Sequence, residues 1–191
     1  GLVGSEMCIR DRAIVQGDIK KLVAYSSVSH MGIVMLGLFA MNTMGVSGAV
    51  YQMLGHGLST GALFLLVGIL YERRHTREIS AYGGLAKSVP LFSATFMVVT
   101  FSSIGLPGLN GFVGEVLVLM GSFQYHPIAT AFAATGVILG AVYMLWVYQR
   151  VVFGPLTDPA NEELEDLNKR EIIYMAPLHV LIVVMGVSPQ Q

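Results

Sequence analysis

Polar residues in this chain punctuate long apolar runs; they do not alternate with apolar ones. Five such runs stand out, over residues 22–41, 46–70, 89–123, 127–153 and 172–187. A helix crosses a hydrocarbon core of about 30 Å with roughly 20 apolar residues. The first four runs meet that length, while the fifth is marginal. Pro127 suits the start of the fourth run, where its missing N–H costs nothing, and Pro177 is expected to kink the first half of the fifth. The pattern predicts an all-α polytopic membrane fold with about five transmembrane helices.

The third run cannot be one regular helix. Gly105, Pro107, Gly108 and Gly111 fall together within it. Proline removes a backbone donor, and each glycine costs about 1 kcal/mol relative to alanine in a helix. The run is therefore predicted to break between Gly105 and Gly111. Just past the break stands Glu115, followed by Val116, Leu117, Val118, Leu119 and Met120. An acid beside a broken apolar helix suggests an ion pathway through a membrane.

The charges support a membrane reading. Beyond residue 12, the nine Lys and Arg fall in three groups: Lys20 and Lys21; Arg73, Arg74, Arg77 and Lys87; and Arg150, Lys169 and Arg170. The alternate connections, 42–45 and 124–126, carry neither. Five crossings put the basic groups on one side, which the positive-inside rule assigns to the cytoplasm or matrix. Asp158, Glu162, Glu163, Glu165 and Asp166 make an acidic linker that reads as a solvated loop. Tyr143, Trp146 and Tyr148 suit either an interfacial aromatic belt or ordinary packing.

Composition narrows the classes. Only 12% of residues are charged, about half the share of a soluble domain. A net charge of −1 offers no excess of cations for nucleic acid. With Cys8 as its sole cysteine, the chain has no internal disulfide framework and no cysteine-based metal site. No phosphate loop or dinucleotide fingerprint appears. Residues 1–12 hold Glu6, Arg10, Asp11 and Arg12 without an apolar core, so they are expected to be foreign to the protein. Residues 13–191 are expected to form one membrane domain.

Three side chains are candidates for chemistry. A charged carboxylate near a bilayer centre costs about 2.5–3.5 kcal/mol on insertion scales, and a helix N-terminus returns only about 0.3–2 kcal/mol. Glu115 therefore needs water, a basic partner or a proton, as a proton relay would provide. His30 and His56 lie inside the first two spans. Ser26 and Ser29 accompany His30, while Gln52, Ser59 and Thr60 share one helical face with His56. Histidine exchanges protons near neutral pH, so a Glu–His–His–water chain is chemically sensible. A structural role, with each group satisfied by a neighbouring helix, is the alternative. The spacing gives no metal site. Gly57 with Gly61 and Gly136 with Gly140 are small-residue pairs expected to let helices approach closely.

Longer motifs carry a family resemblance. Residues 18–32, Asp-Ile-Lys-Lys-Leu-Val-Ala-Tyr-Ser-Ser-Val-Ser-His-Met-Gly, resemble a signature of the antiporter-like proton-translocating subunits of respiratory complex I. His56-Gly57-Leu58-Ser59 and Leu106-Pro107-Gly108, with Gly111-Phe112, fit the same pattern. Residues 71–77 and 112–115 point to one branch within that family.

The resemblance covers residues 13–191 and implies the last five spans of a larger protein built from two inverted repeats. It implies that Glu115 matches the glutamate of the family's second broken helix, in the proposed exit half-channel, where relatives commonly carry lysine. His30 and His56 match histidines of its central hydrophilic axis. The implied function is proton conduction across the membrane, coupled to electron transfer from NADH to quinone elsewhere in the complex. Membership in a related cation/proton antiporter or membrane-bound hydrogenase is the alternative. The chain is then a subunit of an oxidoreductase without redox catalysis of its own, and it lacks the family's intramembrane lysines. NADH, flavin, iron–sulfur clusters and quinone would belong to other subunits. Its partners would be other membrane subunits, the lipid bilayer, protons and water, in a bacterial or mitochondrial inner membrane.

Overall fold

A computed structural model describes residues 16–156 and 158–188; the head assigned to residues 1–12 lies outside them. Helix α1 spans Ile19–Phe39 and is capped by Asp18, whose carboxylate accepts the N–H groups of Lys20 and Lys21 at 2.9 and 3.1 Å. Helix α2, Thr43–Arg74, starts at Asn42, which accepts the Gly45 N–H at 2.7 Å. Then come α3, Pro90–Ser103; α4, Asn110–Phe123; α5, Pro127–Tyr148, which runs on into a π-helical turn, Gln149–Phe153; and α6, Lys169–Val187. Helices α1, α2, α6 and the continuous unit of α5 and its π turn are each long and apolar enough to cross a membrane. At 14 residues apiece, α3 and α4 reach only about 21 Å each. They are the two halves of the broken third span.

The marginal fifth span gains length from its own chemistry. Asn168 accepts the Glu171 N–H at 3.0 Å, and Glu171 accepts the Asn168 N–H at 2.8 Å. This capping box adds a charged first turn ahead of the apolar run. The helix then continues through Pro177.

The three basic groups gather at one end of the bundle. The Ile19 N–H donates to the Arg77 carbonyl at 2.9 Å, and the Ile79 N–H to that of Gly17 at 2.7 Å. Arg73 pairs with Glu171 at 2.7 Å, and Arg74 with Asp158. At the opposite end, the Asn42 amide donates to the Gly121 carbonyl at 2.8 Å. The acidic linker is more than a solvated loop. Asp166 accepts the N–H groups of Leu91 and Phe92 at 2.8 and 2.9 Å, capping α3 from outside its own sequence.

Packing corrects one further expectation and decides one left open. Neither Gly57 nor Gly61 has anything within 4 Å of the place where a Cβ would stand. Close approach is made instead where α2 meets α4: a methyl group on Gly48 would lie 2.8 Å from the Val118 nitrogen, and one on Gly114 2.8 Å from the Gln52 Cα. Among the aromatics of α5, Tyr143 and Tyr148 are buried in the core. Trp146 stacks with the Arg150 guanidinium, 4.5 Å from the ring centre. The two tyrosines are therefore packing residues.

Two apolar clusters frame the middle of the bundle. One holds Leu22, Val23, Leu66, Leu70 and Phe92 toward the charged end; the other holds Ile33, Val34, Ala49 and Val118. On α1, the residues between them are Ser26, Ser29 and His30; on α2 they are Gln52, His56, Ser59 and Thr60, and all seven are buried. A polar layer thus crosses the mid-bundle.

Candidate functional site

The break that positions this layer is built from local backbone rules. Gly105, at φ +76°, ends α3 in a left-handed turn. The Leu106 N–H donates to the Phe101 carbonyl at 3.0 Å and the Gly105 N–H to that of Ser102 at 3.3 Å. These two bonds form a Schellman motif, which needs glycine at this position and favours a proline soon after. Pro107 follows. The next helix starts at Asn110, whose side chain is fully buried. Its amide donates to the Gly55 carbonyl at 2.8 Å, and its carbonyl oxygen accepts from Ser59 at 3.2 Å and from Ser102. One asparagine thereby ties both half-helices to α2. Gly111 lies so close to the Ser102 carbonyl that no Cβ would fit there.

Glu115 is 3% exposed. Its Oε1 lies 2.9 Å from His30 Nδ1 and accepts from the Gln52 amide at 3.3 Å. The His30 and His56 rings stand 5.1 Å apart, tilted by 38°. His56 Nε2 is 2.6 Å from Ser27 Oγ and 3.0 Å from Thr60 Oγ1. The structure thus brings all three candidates, from α1, α2 and α4, into one cluster. It keeps one neighbour expected from the helical faces and reassigns the others. Gln52 serves Glu115, Thr60 serves His56, and Ser59 joins Ser102 at 2.7 Å. Ser27, Ser102 and Asn110 join this polar layer in ways that helical periodicity does not reveal, since their contacts cross between helices.

The electrostatics follow from position. Glu115 is the sixth residue of α4, beyond the first turn where a helix dipole acts. The carboxylate therefore depends on His30 and Gln52. A single proton between Nδ1 and Oε1 leaves the pair with no net charge. The arrangement places two imidazoles and one carboxyl, all able to bind a proton, side by side in the bundle. Among the described residues, no group of three or more His, Cys, Asp or Glu is placed to hold a metal ion.

A helical membrane bundle with a broken span, a polar layer at mid-bundle and a buried carboxyl–imidazole pair defines a class: polytopic membrane proteins that bury ionisable side chains between their helices. Residues 5–140 match the family described as NADH:quinone oxidoreductase/Mrp antiporter, transmembrane. The chain belongs to that family.

Its relatives agree. NADH-quinone oxidoreductase subunit M of Rhodobacter capsulatus is 51% identical over 177 residues, covering 93% of this chain and 35% of the relative. Subunit M of Rickettsia felis is 50% identical, with 93% and 36% covered. The branch indicated by residues 71–77 and 112–115 is thus that of subunit M. The chain spans about a third of the length of these curated relatives. Among solved structures, a chain of respiratory complex I from Thermus thermophilus superposes with a TM-score of 0.91 at 37% identity, covering 99% of this chain and 40% of that one. A chain of an archaeal membrane-bound sulfane sulfur reductase does so at 0.92 and 30%, covering 100% and 32%.

Proposed function

We propose that this chain is part of a proton-conducting membrane subunit of an NADH:quinone oxidoreductase, and that His56, His30 and Glu115 form a section of its proton path. The observation that carries this reading is the His30–Glu115 contact, buried at mid-bundle beside the helix break. Protons would step between the two imidazoles and the carboxylate, helped by Ser27, Thr60 and intervening water. Electron transfer from NADH to quinone would take place on other subunits, where flavin and iron–sulfur clusters are held. This chain would contribute no redox chemistry and would not work alone. Its partners would be the other membrane subunits, in a bacterial or mitochondrial inner membrane.

The relatives near 50% identity bear the subunit M name, which favours this reading over the antiporter alternative. The test is Glu115→Gln in the full-length subunit within its assembled complex, with NADH-driven proton translocation measured in sealed vesicles. Loss of the linked proton gradient is expected. If NADH oxidation and its gradient both survive, the relay assignment is wrong.

A further inference from the structure

We infer that Gly105 is a positioning residue for Glu115. By lacking a side chain, it keeps open the place in the helix break that the second carboxylate oxygen, Oε2, occupies. The inference rests on Glu115 being a proton carrier, and it names which oxygen serves which side.

The two oxygens of Glu115 have different surroundings. Both the His30 contact at 2.9 Å and the Gln52 contact at 3.3 Å fall on Oε1. Oε2 turns the other way, into the break. A Cβ built on Gly105 would stand 2.7 Å from Oε2 and 3.5 Å from the carboxyl carbon. Usually the far end of a glutamate could swing clear of a new methyl group. Here the same carboxylate is tied through Oε1, so moving Oε2 aside rotates Oε1 away from His30 and Gln52. A relay carboxyl that does not rotate uses one oxygen for the donor side and the other for the acceptor side. The imidazoles hold the first, and the glycine of the break leaves room for the second. In this arrangement a carboxyl already protonated on Oε2 can take a proton on Oε1 from His30 as it releases the one on Oε2, so that one proton enters and one leaves while neither the carboxyl nor the helix moves.

Gly105 is also a glycine for backbone reasons, since its φ is +76°. Gly108 separates the two roles. Its φ is +92°, and nothing lies within 4 Å of where its Cβ would stand. Alanine at either position imposes left-handed strain, but only Gly105→Ala pushes on Glu115.

The experiment compares Gly105→Ala, Gly108→Ala and Glu115→Gln in the full-length subunit in its assembled complex, reading the initial rate of NADH-driven proton translocation. Misplacing a positioned group by about 1 Å can cost on the order of a hundredfold in the rate of its step. Gly105→Ala is therefore expected to slow translocation by about ten- to a hundredfold, and Gly108→Ala to stay near the parent. Equal behaviour of the two alanine variants overturns the inference; if Glu115→Gln is still inactive, the relay stands and only the role of Gly105 falls. An active Glu115→Gln refutes the relay itself. Should Gly105→Ala fail to assemble, adding Glu115→Asp withdraws the carboxylate by one methylene. The double variant is expected to restore assembly, and its failure to do so would mean that the backbone alone demands glycine, overturning the inference.

Discussion

His30 Nδ1 and Glu115 Oε1 stand 2.9 Å apart although 85 positions separate them in sequence, on two different helices. Both side chains are nearly inaccessible. Breaking such a pair by removing one partner leaves a buried charge uncompensated, typically at about 3–5 kcal/mol. Glu115→Gln removes the acid without creating that charge.

His30→Ala should thus destabilise the assembled protein more than His30→Ala combined with Glu115→Gln. Thermal unfolding in detergent checks this. Additive effects of the two changes would mean that the groups do not interact.

Asn110→Ala should loosen the break. The change leaves the Ser59 and Ser102 hydroxyls without a shared acceptor and removes the bond to the Gly55 carbonyl. An unsatisfied buried group costs about 1–3 kcal/mol. Faster proteolysis or hydrogen exchange within residues 104–110 is the expected sign.

Glycines should differ sharply by position. Gly114→Ala would press on the Gln52 backbone, an overpacking worth about 1–3 kcal/mol, and displace the Glu115 partner. Gly57→Ala meets open space and should be neutral or stabilising by up to about 1 kcal/mol. Melting temperatures of the two variants decide it.

Acid should release the linker. The Ala160 N–H first, and then the Arg74 side chain, hold the Asp158 carboxyl below the usual carboxylate range. A depressed folded-state value stabilises above the unfolded value, and the contribution is lost as pH falls through the folded one. Cleavage of the linker by an acid-tolerant protease should rise as pH drops below the ordinary carboxylate range, and Asp158→Asn should flatten that dependence.

Much of this is legible in the sequence alone. Glycine and proline punctuation located the break because left-handed turns and missing donors are local demands. Charge segregation located the basic end because it reflects the solvent on each side. His30, His56 and Glu115 stood out because ionisable groups are costly in apolar runs. Periodicity could not show that Gln52 serves Glu115 or that Ser27 serves His56, since it relates residues on one helix only. The small-residue spacing of Gly57 and Gly61 was likewise ambiguous, because it signals a possible close approach without naming which face has a partner. The cap supplied by Asp166 came from a distant linker, and its residue type alone gave no hint.

The central claim is that Glu115 changes its protonation during turnover. Infrared difference spectroscopy of the full-length subunit in its complex, with and without NADH and quinone, observes this directly. A protonated-carboxyl band that changes during turnover, shifts in deuterated water and disappears in Glu115→Gln is the predicted result. A difference spectrum whose carboxyl bands are the same in Glu115→Gln as in the parent would contradict it.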